Sequence, residues 1–226
     1  MTKADVQEAL VALYLRLNGY FTSGFVVQSA TPHQVTAEVD MIAVRHPHSS
    51  ELASVLKPSP ELDLWDGGVD LIIGEVKSHG QALQFNPSIR SAGHVSTLLQ
   101  WWGYLDKREV AAVADAVLAI LQPLPGAKTA PCVPCARNSR VRAILFAPET
   151  QTRRQEQAWF IPGPAIFEHV WQRLHPLEAR DLCATDYGAG QWGVGFAPIV
   201  RYFKAPDRQT PGDLDSLLTY LNADAG

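Results

Sequence analysis

The chain has 226 residues, with 19 Lys and Arg against 23 Asp and Glu, for a formal net charge of −4. Hydrophobic residues make up 46% and charged residues 19%, which excludes a disordered, highly charged tail protein and leaves ample apolar surface for a core. A sequence pI near 6.0 argues against coating nucleic acid by bulk charge, while leaving room for a localised basic groove.

In chain order, Val6, Leu10, Leu13 and Leu17, widened by Val11 and Leu15, predict an amphipathic helix that stops at Asn18-Gly19. Three strands are expected next, Phe25 to Gln28, Val35 to Arg45 and Val69 to Lys77. Between the last two, the polar stretch His46 to Gly68 reads as an extended hairpin connection. Ser88 to Tyr104 and Glu109 to Leu121 read as two helices, or one interrupted near Asp106. After a Pro/Gly-rich loop, Pro123 to Pro134, the run Val141 to Ala147 predicts a strand buried in a sheet. Pro164 opens a helix to about Leu174, Gly195 to Lys204 reads as a strand, and Asp213 caps a last helix through Leu221. Asp70, opening the third strand, reads as a turn or capping residue. The order α-β-β-β-α-β-α-β-α predicts one α/β domain over residues 1–226, with a mixed central sheet flanked by helices.

Two of these apolar strands carry charges where a buried strand should not. Asp40 interrupts the second, and Glu75 with Lys77 ends the third. Strand side chains alternate faces, so Glu75 and Lys77 point one way, and Glu38 and Asp40 share a face. If the strands pair as a hairpin, Asp40, Glu75 and Lys77 converge on one patch. Clustered carboxylates repel, and a divalent cation such as Mg²⁺ is their natural neutraliser. Such a metal acidifies bound water and screens a phosphoryl group, while a lysine beside it positions the nucleophile or stabilises growing negative charge. Metal-assisted phosphodiester hydrolysis follows from these parts. Glu38 is either a supporting carboxylate or an exposed partner of a basic residue.

Asp40 followed by Glu75-Val76-Lys77, with the helical Glu8 ahead of both, resembles the PD-(D/E)XK nucleases, the restriction endonuclease-like superfamily. The resemblance implies an αβββαβ core from Asp5 to Ala147, followed here by a C-terminal αβα extension. It also implies that Asp40 and Glu75 bind Mg²⁺ or Mn²⁺, that Lys77 acts on the attacking water and that Glu8 supports the metal. Val39 stands where many members have proline, and the step from Asp40 to Glu75 is longer than in compact members. Gln100 and Tyr104, one helical turn apart, are similar to a Gln-x-x-x-Tyr pair of RecB-like exonuclease branches and would support the site.

Arg137, Arg140, Arg142, Arg153 and Arg154 lie against one acid, Glu149, within 18 residues, a cluster able to contact a nucleic-acid backbone. Cys132-Val133-Pro134-Cys135 supplies two of the four ligands of structural zinc, and only Cys183 with His169 or His175 could complete it, so zinc is not expected. Three cysteines, no membrane-length apolar run and an N-terminus unlike a secretion signal point to the cytoplasm. The expected function is a Mg²⁺-dependent nuclease acting on nucleic acid, DNA ahead of RNA, without a membrane partner. A homodimer would suit double-strand cutting. The alternatives are a binding or scaffold domain of the same fold without activity, and a hydrolase of another phosphate ester.

Overall fold

The computed structural model describes residues 1–28, 35–49, 57–78, 80–122, 124–152, 158–175 and 188–223. Helix α1, Lys3–Arg16, starts at a reciprocal cap in which Asp5 N–H donates to Thr2 Oγ1 and Thr2 N–H to Asp5. Its buried stripe includes Leu10, Val11, Tyr14 and also the polar Gln7. Strands β1, Phe21–Gln28, β2, Val35–Arg45, and β3, Val69–Val76, form an antiparallel meander. The chain then crosses over through α2, Ala92–Trp102, and α3, Lys107–Ile120. It returns in β4, Cys132–Cys135, and β5, Ser139–Ala147.

Strand β5 lies parallel to β3, from Val69 opposite Ser139 to Val76 opposite Phe146. It pairs antiparallel with β4 and, at its far end, parallel with β6, Phe160–Pro162. The result is a six-stranded mixed sheet in the order β1-β2-β3-β5-β4, with β6 also on β5. Helices α1, α4 (Gly163–Leu174), α5 (Ala197–Lys204) and α6 (Leu214–Ala223) cover one face around Ile72, Ile144 and Phe146. Helices α2 and α3 cover the other around Ile73, Val141 and Leu145. This is the mixed α/β architecture expected. Among the described residues no helix is long and apolar enough to cross a membrane.

Three expectations need correction. Gly195 to Lys204 is not a strand. Pro198 sits in the first turn of α5, and Ile199, Val200, Tyr202 and Phe203 fall on one helical face and are fully buried, while Arg201 stays outside. Burial of that face overrides the β-propensity of its residues. The stretch read as a Pro/Gly-rich loop, Pro123 to Pro134, runs into β4 from Cys132, and β4 turns into β5 through Arg137 and Asn138, both at positive φ. Gly103 ends α2 at φ +71° rather than lying inside it, because a left-handed cap favours glycine, and Tyr104 is therefore off the helix.

Asp70 is also misjudged by its position at a strand start. It is fully buried, and the parallel register brings it to Arg140 and Arg142. Arg142 donates to both Asp70 oxygens at 3.0 and 2.6 Å, Arg140 donates to Oδ2 at 3.0 Å, and Tyr20 Oη donates to the same oxygen at 2.7 Å. Burial beside the Asp70 carboxylate pushes the Tyr20 phenol far above its usual range.

Candidate active site

Glu8, Asp40, Glu75 and Lys77 line one cleft of about 190 Å³, together with Gln7 and Asn86. It opens where the C-terminal end of β3 meets β2 and the N-terminal half of α1. In sheets with parallel strands, this end is the usual place for a ligand.

A register irregularity helps aim Asp40. Val39 faces Phe25 and Ile42 faces Ser23, so β2 spends one more residue than β1 across this stretch. Such bulges redirect side chains beside functional sites. Here Val39 and Ile42 pack on the α2/α3 face while Met41 packs on the α1 face. Strict alternation is broken on either side of Asp40. Glu38 is exposed, and its charge still acts on Asp40 and Glu8.

Asp40 Oδ2 accepts from Val76 N–H at 2.9 Å, tying β2 to the end of β3. Glu75 is 3% exposed and accepts from Lys77 Nζ at 2.8 Å and from Asn86 N–H at 2.9 Å. Lys77 Nζ also donates to Asn86 Oδ1 at 3.1 Å. Burial lifts the Glu75 carboxyl above its ordinary range despite Lys77 and the Asn86 N–H, and lifts Asp40 likewise. Glu8 is raised by burial first and then by the charges of Asp40, Glu38 and Asp5. Three carboxyl groups in a small cleft thus resist ionisation together.

Their all-oxygen chemistry suits a hard divalent cation. Yet no group of three His, Cys, Asp or Glu side chains among the described residues is gathered tightly enough to be a ready-made metal site. The hydrogen bonds explain the spread. Asp40 turns to Val76 N–H, and Glu75 is held between Lys77 and Asn86. A cation would compete with Lys77 for Glu75.

Asn86 is the residue that sequence reasoning missed. It precedes Pro87, which confines it to extended backbone, and the buried Phe85 and Ile89 anchor it on either side. It is one of many polar residues in a loop, so nothing in the sequence singles it out. Gln7 had a signal, being a polar residue on the buried stripe of α1. It accepts from Ser78 Oγ at 2.6 Å and donates to Glu149 Oε2 at 3.2 Å, docking α1 to the strand end beside Lys77. Asn86→Ala is expected to reduce whatever turnover the cleft supports by about 10–100-fold, as loss of orienting contacts does at comparable sites, with little change in the thermal midpoint. Steady-state kinetics beside a melting curve would check this.

The other expected site residues lie elsewhere. Gln100 is exposed, and Tyr104 Oη donates to Arg137 O at 3.0 Å, at the corner between α2 and α3. Arg137 pairs with Asp106 at 2.5 Å, clipping the β4–β5 turn to that corner. Arg140 and Arg142 hold Asp70, and Arg142 is 2% exposed. Along the parallel strands Arg140, opposite Asp70, is five residues or about 17 Å from the Glu75 position, and Arg142, opposite Ile72, is three residues or about 10 Å from it. Both guanidinium groups are engaged with Asp70, and Arg142 is enclosed. Arg153, Arg154 and Cys183 lie outside the described residues. Cys132 and Cys135 are free thiols on β4, and burial, with Cys132 nearby, pushes Cys135 up to about 11. His169 is buried against the Tyr14 ring and held down to about 4 by that burial, and His175 Nδ1 meets Phe203 O. Comparison with protein-family models, with curated proteins and with solved structures finds no match for this chain.

Proposed function

We propose that the protein is a Mg²⁺-dependent nuclease hydrolysing DNA phosphodiester bonds on a restriction endonuclease-like core. The carrying observation is the convergence of Glu8, Asp40, Glu75 and Lys77, from three separate elements, on one cleft. The meander of β1, β2 and β3, with β5 parallel to β3 after a helical crossover, agrees with the core that the resemblance implies.

Asp40, Glu75 and Glu8 would hold the cation, which when bound would screen phosphoryl charge and make a water more acidic. Lys77 would orient the attacking water or offset negative charge developing on the phosphate. Asn86 keeps the Lys77 ammonium beside Glu75, so the lysine is in place before substrate arrives. Gln7 fixes α1, and with it the neighbouring Glu8, against Ser78.

A linked prediction tests the cation without substrate. Folding raises these carboxyl pKa values, so the folded protein binds more protons than the unfolded chain. Their contribution to stability is therefore lost as pH rises through the folded pKa values. A bound cation reverses this, so Mg²⁺ is expected to raise the thermal midpoint more at about pH 7.5 than at about pH 5. An equal shift at both pH values would count against carboxylate ligation.

The reaction is tested by digesting matched plasmid, linear duplex, single-stranded DNA and RNA with Mg²⁺, Mn²⁺ or EDTA. Cleavage of DNA that EDTA abolishes is expected, and no cleavage of any substrate with either metal would overturn the reading. A second reading, an inactive nucleic-acid-binding or scaffold domain, draws on the Lys77–Glu75 ion pair, which occupies both groups with each other. DNA binding without metal binding or cleavage would favour it.

A further inference from the structure

A second, wider cavity lies away from the cleft, at the other end of α1 and β2. It measures about 940 Å³, and among the described residues its rim and walls carry Arg16, Arg45, Arg173 and His48 against one acid, Asp66. Pockets of this size typically take a drug- or cofactor-sized ligand. Arg45 is five residues along β2 from Asp40, so the two sites are about 17 Å apart by the strand rise. They are separate sites.

Arg45 is the centre of this pocket. It is 4% exposed, a buried cation that demands a counter-charge. The carboxylate facing it belongs to Asp66, at 2.7 Å, whose side chain is 66% exposed. That anion comes from the solvent side and can be displaced without unmaking the core. Arg45 Nη2 gives one hydrogen bond, to Ser49 O at 2.8 Å, and buried Nε gives none. Gly19, at φ +85°, leaves the space for this guanidinium, since a Cβ there would stand 3.4 Å from Nε and 3.3 Å from Ser49 Cβ. The turn after α1 is thus shaped around Arg45.

The rest of the lining says what the anion is attached to. Arg16, exposed at the last turn of α1, lies 4.9 Å from the Trp192 ring centre and 5.6 Å from that of Phe196. Aromatic stacking pre-orients its planar fork of donors. Phe21, 72% exposed, and Phe196 also border the cavity, with Leu17, Pro58 and Leu64 completing an apolar wall. Guanidinium forks match phosphate oxygens in geometry and charge, and flat rings match a nucleobase.

We propose that this pocket binds the phosphate of a nucleotide, with Arg45 and Arg16 on the phosphate and Phe21 and Phe196 flanking the base. The phosphate comes either from a free nucleoside monophosphate or from the terminus of a nucleic-acid strand. Asp66 occupies the phosphate position in the ligand-free protein.

Calorimetry on the full chain with inorganic phosphate, dAMP, and matched oligonucleotides with and without a 5′-phosphate tests this. dAMP is expected to bind more tightly than inorganic phosphate. Arg16→Gln should weaken dAMP about tenfold, the value of one charge-assisted hydrogen bond. Asp66→Asn should tighten it, because the competing carboxylate is gone, and a merely structural role for Asp66 would not produce that gain. Both residues are surface-exposed, so these variants keep the fold, and a melting curve verifies it. Lys77→Met should leave dAMP binding unchanged, which separates this site from the cleft. A phosphorylated oligonucleotide outbinding both dAMP and its unphosphorylated twin would assign the terminal phosphate as the source. Equal binding of both oligonucleotides with none of dAMP would overturn the proposal, as would dAMP binding indifferent to Arg16→Gln and Asp66→Asn.

Discussion

Lys77→Met is expected to lower Mg²⁺-dependent DNA cleavage about 10²–10³-fold, some 3–4 kcal/mol of transition-state stabilisation. Methionine keeps the length and apolar stem of the side chain, so the change is essentially loss of a positive charge between Glu75 and Asn86. Lys77→Arg is not expected to rescue the rate. A guanidinium fork is wider than an ammonium and cannot sit 2.8 Å from Glu75 and 3.1 Å from Asn86 Oδ1 in the same small space. The substitution also frees Glu75 from its neutralising partner and raises its pKa further. Stability should therefore suffer less in acid, where protonation of Glu75 removes the pair in wild type and variant alike, and more near neutrality. Single-turnover rates, paired with melting curves under both conditions, separate lost chemistry from lost fold. Unchanged cleavage would remove Lys77 from the reaction.

The second large effect is on stability. Asp70→Asn is expected to cost about 3–5 kcal/mol, the usual penalty for removing one partner of a buried ion network. Asparagine preserves the shape, but two arginines and the Tyr20 hydroxyl lose the carboxylate they share. Arg142 is almost wholly enclosed, so its charge has no water to turn to. For a chain of this size the thermal midpoint should fall by about 10 °C or more. Asp66→Asn, which removes the solvent-exposed partner of Arg45 and leaves the amide side chain and water within reach of the guanidinium, should lower it far less. Urea or thermal unfolding of the two variants side by side would show this contrast. Because Asp70 lies at the far end of β3 from the cleft, cleavage below the unfolding transition should survive Asp70→Asn.

What the sequence makes legible follows from which signals are local. Asp40, Glu75 and Lys77 stand out because charges on apolar strands are anomalous, and alternation brings Glu75 and Lys77 to one side. Strand pairing of β2 with β3 then delivers the cleft. A count of charge over the arginine cluster ignores pairing. Arg140 and Arg142 find Asp70 across a parallel register some 70 residues distant, which no local pattern encodes. Position alone makes Asp70 look like a turn residue for the same reason. Helix α5 has strand-like composition, and only its fully buried face, packed with α4 and α6, decides for a helix. Asn86 contributes through a backbone N–H and an amide oxygen presented by a loop, and neither leaves a pattern in the sequence.

The net charge of −4 divides unevenly. Residues 1–80 hold 5 basic and 10 acidic side chains, and the cleft belongs to that acidic part except for Asn86 and Gln81. A polyanionic substrate should therefore approach poorly until a cation is bound, and binding with a cation present should weaken as salt rises. Tight DNA binding in EDTA would contradict this division.

The most direct test of the cleft as a catalytic centre is single-turnover cleavage of an end-labelled DNA by the wild type and by Glu75→Gln, each in Mg²⁺ and in EDTA. Glutamine retains an oxygen that can accept from Asn86 N–H and removes the charge that would hold the cation. The wild type should cut only with Mg²⁺, and the variant should lose that cleavage while keeping its fold. Full Mg²⁺-dependent cutting by Glu75→Gln would contradict the account.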